Sequence, residues 1–200
     1  EPTIVSEGDY HRITMDNAWT YGDPGEPMLP LAGVRLLLPP GDVVSEIHVV
    51  TGEKVVIGSG YILEPGQMQY PLSHTGPRSV AVADYPDGAR YPESLNSEPV
   101  YGRFRGYGIA NVALSPVEYE AGSGTVWYYT SMDVEIITEP DPAGMRGVQK
   151  MIRHDAGTLS RLASMVDNPM DSVQYAGVDR IVEVDFAANQ DAALAVLKPG

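Results

Sequence analysis

The stretch that decides the fold runs from Arg103 to Thr138: Arg103-Phe-Arg-Gly-Tyr-Gly108, Ile109-Ala-Asn-Val-Ala-Leu114, Ser115-Pro-Val-Glu-Tyr119, Gly122-Ser-Gly124, and Thr125-Val-Trp-Tyr-Tyr-Thr-Ser-Met-Asp-Val-Glu-Ile-Ile-Thr138. The last segment is dense in β-branched and aromatic residues and reads as one long strand. From Trp127 it alternates, with Trp127, Tyr129, Val134 and Ile136 set among polar neighbours. That is the composition of a half-buried β surface. A Gly-Ser-Gly link between two such runs signals a hairpin.

Working outward, the same logic yields further strands. Ile4 to Met15 reads as one or two short strands, and Asp23-Pro24-Gly25 as a turn. Val34 to Leu38 is an apolar strand stopped by Pro39-Pro40-Gly41; Val43 to Val50, Val55 to Ile57 and Gly60 to Leu63 follow. Strands at this spacing indicate a sandwich. The fold expected is therefore all-β, an antiparallel β-sandwich over residues 1–138. Its core is expected to include Val34, Leu36, Leu38, Ile47, Val49, Ile109, Val112, Leu114, Trp127 and Ile136.

Two regions break the pattern. Residues 64–99 carry Pro65, Pro71, Pro77, Pro86, Pro92 and Pro99, leaving room for one short strand near Ser79–Ala83. A Pro-rich insertion of this length inside a domain tends to be functional. Beyond it, Glu139-Pro-Asp-Pro-Ala-Gly144 begins a linker expected over residues 139–157, since alternating prolines oppose regular structure. A short helical appendage opens residues 158–200: Leu159, Leu162, Ala163 and Val166 fall on one helical stripe. Asp155 or Thr158 is placed to cap its start, and Asp167-Asn168-Pro169 to end it. A strand over Arg180–Phe186 and a short helix over Ala187–Leu197 complete the tail, which either leads into a downstream catalytic domain or serves only as a tether.

Composition removes several function classes. Thirteen basic residues against 27 acidic ones give a net charge of −14. Such a surface repels phosphate backbones and anionic lipid, so no nucleic-acid partner is expected. There is no cysteine, which removes disulfides, thiolate metal sites and a Cys nucleophile together. No apolar run reaches the ~18 residues of a membrane span. The chain opens at Glu1 without Met or an apolar leader, which fits removal of a signal peptide upstream and a secreted or cell-surface protein.

Nor do the usual catalytic patterns appear. His11, His48, His74 and His154 are not paired in metal-ligand spacing. Gly58-Ser59-Gly60 and Gly122-Ser123-Gly124 lack nucleophile-elbow spacing. Asp84-Tyr-Pro-Asp87-Gly88 and Asp167-Asn-Pro-Met-Asp171 carry oxygen ligands that a hard cation could use, but acidic turns are ordinary in so acidic a chain. No cofactor, no metal site and no catalytic residue is expected: the chain is read as a non-enzyme.

The segment Arg105-Gly-Tyr-Gly-Ile-Ala-Asn-Val112, followed by Ser115-Pro-Val-Glu-Tyr119 and Gly124-Thr-Val-Trp-Tyr-Tyr129, resembles the closing hairpin of the propeptide of gingipain-type cysteine peptidases. Gly25-Glu-Pro-Met-Leu-Pro30 is similar to the family's Gly-x-Pro-x-Leu-Pro motif. It is followed, as in the family, by Val34 to Leu38, by Pro39-Pro40-Gly41 and by Glu46-Ile-His-Val49, and Tyr91-Pro92 precedes the last hairpin. The resemblance covers roughly residues 20–138. It implies a β-sandwich-like domain that helps a downstream cysteine peptidase domain of the same precursor to fold, holds it latent by obstructing its cleft, and is removed by proteolysis.

The resemblance also implies an inhibitory loop that places one side chain in the S1 pocket. Spacing back from Tyr91-Pro92 puts that loop at Gln69, Tyr70 and Pro71. The known arginine- and lysine-specific members have a basic residue there, and Tyr70 departs from that pattern; the nearest basic residues are Arg78 and Arg90, so either the cognate peptidase is not basic-specific or the inhibitory residue is Arg78. Pro71 restricts Tyr70 to extended geometry, which suits insertion into a cleft. A competing reading is a secreted binding module for carbohydrate or cell surface, with Trp19, Tyr21, Trp127, Tyr128 and Tyr129 as a stacking platform.

Overall fold

The computed structural model describes residues 1–141 and 152–175. The strand expected over Arg180–Phe186 and the helix over Ala187–Leu197 lie outside the described residues. The fold is all-β and sandwich-like, with a short helix near the end of the described chain. Twelve strands are present among the described residues: β1 (Thr3–Glu7), β2 (Tyr10–Thr14), β3 (Ala18–Tyr21), β4 (Leu29–Leu37), β5 (Asp42–Thr51), β6 (Lys54–Gly58), β7 (Arg90–Tyr91), β8 (Val100–Phe104), β9 (Tyr107–Leu114), β10 (Val117–Glu120), β11 (Thr125–Tyr129) and β12 (Met132–Pro140). Helix α1 (Ala156–Ala163) and a 3-10 helix (Pro169–Tyr175) follow. The strands pair as β1-β2, β6-β11-β10-β7, β12-β5 and β3-β4-β9-β8.

The chain divides into two compact units. The first holds Glu1–Gly33, His48–Glu98 and Val112–Glu135; the second holds Val34–Ile47, Pro99–Asn111 and the described residues from Ile136 onward. In the first unit, Val117, Tyr119 and Val126 of β10 and β11 pack with Ile13 of β2, Leu29 of β4, Leu63 and Ala121. The hairpin read from Gly122-Ser123-Gly124 is present, with Val117 opposite Tyr128 and Glu120 opposite Thr125.

The structure departs from the sequence reading at several points. The long strand is two: it breaks at Thr130-Ser131, where Thr130 N–H donates to Glu53 O and Gly52 N–H to Ser131 O. In β11 the phase is also the reverse of the one expected. Val126 is fully buried and Tyr128 packs on the core, whereas Trp127 is only half-buried. The irregularity opposite them lies in β6, where Gly58 and Val56 face Val126 and Trp127 and Ile57 is the extra residue. Val34, Ile47, Val49 and Ile136 are likewise half-buried, while Leu36, Leu38, Ile109, Val112 and Leu114 are buried as expected. No strand forms at Ser79–Ala83, and Gly60 to Leu63 supplies only a bridge from Leu63 to His11. Strand β12 continues through Pro140, into the segment expected as linker, and α1 opens at Ala156, directly after Asp155, one of the two caps expected.

The second unit gathers Leu37, Tyr107 and Ile109 under Leu162, Val166 and Tyr175. Asp155 caps α1, its carboxylate accepting from Thr158 N–H at 2.9 Å and Thr158 Oγ1 at 2.6 Å. These bonds hold the Asp155 carboxyl below its ordinary pKa. Past the helix, Asp167 and Asn168 pair with β4 as a strand would. Asp167 N–H donates to Arg35 O, and its Oδ2 accepts Arg35 N–H at 2.7 Å. Asn168 accepts Leu37 N–H at 2.7 Å and donates to Leu37 O at 2.9 Å. Backbone groups that would otherwise lack partners are thereby satisfied.

Candidate functional site

The Pro-rich insertion is the candidate site, and its base is built within the first unit. Backbone hydrogen bonds pin that base: Glu64 N–H to His11 O, Met28 N–H to Glu64 O, Gly66 N–H to Glu26 O and Gly25 N–H to Gly66 O. The approach at Gly66 is so close that an added Cβ would lie 2.1 Å from Gly22 O. Only glycine fits there.

From this base, residues 67–81 leave and return as a loop closed on itself at two levels. Gln67 spans its neck: its amide nitrogen donates to Pro65 O and Ala81 O, both at 3.1 Å, and its Oε1 accepts Ala81 N–H at 2.9 Å. Farther out, Tyr70 Oη accepts Ser79 N–H at 2.9 Å. The Tyr70 ring lies 4.5 Å from the His74 ring, and Arg78 Cζ lies 5.9 Å from it on a cation–π approach. His74 N–H donates to Pro71 O at 2.9 Å. The returning arm is anchored by Tyr85, whose hydroxyl donates to Leu63 O at 2.9 Å; burial pushes that phenol well above its ordinary pKa.

The structure thus brings Tyr70 and Arg78 together on one loop. Tyr70 is half-buried and serves as an internal brace, while Gln69, Pro71 and Arg78 are exposed. Leu72 is fully exposed at the loop's outer end. Gln67 carries the neck, and no motif marks it: its role depends on Ala81, fourteen residues away.

The aromatic platform does not assemble. Tyr128 turns into the core, and Trp127 lies on the outer face of the β6-β11-β10-β7 sheet, with Lys54 Nζ 5.0 Å and Arg90 Cζ 5.9 Å from its ring. Glu118 receives hydrogen bonds from Lys54 and Tyr129 on the same face. Burial pushes the Glu118 carboxyl up, but these bonds and the charges of Lys54 and Arg90 outweigh it and hold the group below its ordinary pKa. Tyr129 is pushed up to about 12, by burial first and then by its bond to Glu118. Among the described residues no cluster of three or more His, Asp or Glu side chains could hold a metal ion. Asp167 and Asp171 of the second acidic turn are engaged by Arg35 N–H and Asn168.

Comparison with solved structures places this architecture. A structure concerned with zymogenic latency of gingipain K from Porphyromonas gingivalis aligns with a TM-score of 0.56 at 19% identity, over 70% of this chain and 81% of that one. The complex of the Porphyromonas gingivalis RgpB pro- and mature domains aligns with a TM-score of 0.57 at 16% identity, over 85% of this chain and 86% of that one. The fold is that of a gingipain-type prodomain. No family model and no curated protein matches the chain.

Proposed function

We propose that this chain is the non-catalytic prodomain of a secreted or cell-surface gingipain-like cysteine peptidase, acting as a folding aid and latency inhibitor of the peptidase domain of its own precursor. The observation that carries the reading is the shared fold with the RgpB pro- and mature-domain complex over 85% of the chain. Loop 67–81 supports it. A loop held at its neck by Gln67 and braced by Tyr70 loses little conformational freedom on docking, so more of the contact energy survives as affinity. In this reading the loop enters the cleft with Gln69, Tyr70, Pro71 and Arg78, and the sandwich supplies the remaining contact area.

The test is to titrate the isolated domain against the mature peptidase, comparing wild type with Tyr70→Ala and Arg78→Ala. A tenfold loss for Arg78→Ala alone, about 1.4 kcal/mol, makes arginine the residue read by the enzyme. A tenfold loss for Tyr70→Ala that Tyr70→Phe, which lacks only the hydroxyl bonded to Ser79, does not share assigns that role to the tyrosine ring. Full inhibition by both variants rejects the loop, and no inhibition by wild type rejects the latency role.

A further inference from the structure

The second unit contains a groove of about 410 Å³ that has no part in the inhibition proposed for loop 67–81. Its lining comes from Arg35 of β4, Gly102, Arg103 and Phe104 of β8, Ile109 and Asn111 of β9, and Met165 beyond α1. Ile109 is buried, and Phe104 and Met165 pack on the same apolar cluster. The groove is open because β8 has a glycine at its centre: an added Cβ on Gly102 would meet only Asn111 Nδ2, at 4.0 Å. Asn111 is itself fixed by donating to Val100 O at 3.1 Å. Ligand grooves of about 300–1,000 Å³ combine apolar walls with a few polar groups that orient the ligand.

Two guanidinium groups on one apolar groove stand out in a chain of net charge −14. Arg35 uses its backbone to bind Asp167, and its side chain makes no ion pair among the described residues. We infer that this groove binds a medium-chain carboxylate of the fatty-acid type. The carboxylate pairs with Arg35, and the alkyl chain lies over Gly102 against Ile109, Phe104 and Met165. Arginine suits the head group because its planar fork meets both carboxylate oxygens. The apolar walls favour the chain through area removed from water.

The experiment titrates the full chain with sodium decanoate below its micellar range, following the Gly102 and Asn111 amides by NMR. Saturable shifts at these amides are expected, with decanol binding at least tenfold more weakly for lack of charge. Arg35→Gln, which keeps the backbone bonds to Asp167, should weaken decanoate at least tenfold. Gly102→Leu should abolish binding by filling the groove, with an unchanged circular dichroism spectrum. Equal binding of decanol, or undiminished binding by Arg35→Gln, overturns the inference whether or not Gly102→Leu folds. Tighter binding of an acetylated peptide ending in leucine than of decanoate also overturns it, making the groove a peptide site.

Discussion

Replacing Tyr175 with phenylalanine tests how the segment after Ile152 is held. Tyr175 is 1% exposed, and its hydroxyl makes two bonds: it donates to Leu38 O at 2.8 Å and accepts Gly108 N–H at 3.0 Å. Its ring lies 4.6 Å from that of Tyr107. Phenylalanine keeps the ring and its apolar burial, so the substitution isolates the hydroxyl. Each net hydrogen bond contributes about 1 kcal/mol, and a buried group left without a partner costs about 1–3 kcal/mol. With a carbonyl and an amide both stranded, the expected loss is about 2–4 kcal/mol. Urea unfolding of the full chain measures it, and hydrogen exchange at the Gly108 amide localises it. A loss below about 0.5 kcal/mol, the scale of an ordinary surface change, with Gly108 protection intact, would refute the reasoning.

Three other outcomes are expected. Gly66→Ala forces a contact with Gly22 O and should cost several kcal/mol in thermal or urea unfolding, where an ordinary solvent-exposed Gly→Ala change would not. Glu118 has a depressed pKa in the folded chain, so its contribution is present above the ordinary carboxylate value of about 4.5 and is lost as pH falls through the lower folded value. Unfolding measured from pH 7 to pH 3 should show this loss, and Glu118→Gln should flatten it. Gln67→Ala opens the neck of the loop and should speed proteolytic nicking within residues 67–81, read by mass spectrometry, with no change in the circular dichroism spectrum.

Local chemistry determined much of this protein from sequence alone. Gly122-Ser123-Gly124 set the hairpin, Pro39-Pro40-Gly41 ended a strand, and Leu159, Leu162 and Ala163 marked a helix, because each depends on neighbours within a few residues. The prolines of 64–99 likewise kept that segment free of strands apart from the two residues of β7. What stayed open rests on partners far along the chain. The inward face of β11 was set by packing, with Val126 turned toward Ile13, Leu29 and Leu63 and Trp127 left outward. The neck of the candidate loop was set by Gln67 meeting Ala81, and the bracing of Tyr70 by Ser79. Asn168 became a surrogate strand residue only because Leu37, 131 positions away, offers both an N–H and a C=O. Hydrophobic alternation fixes a strand's period, but its phase and the partners of its polar groups are decided by packing, since a one-residue shift exchanges the two faces.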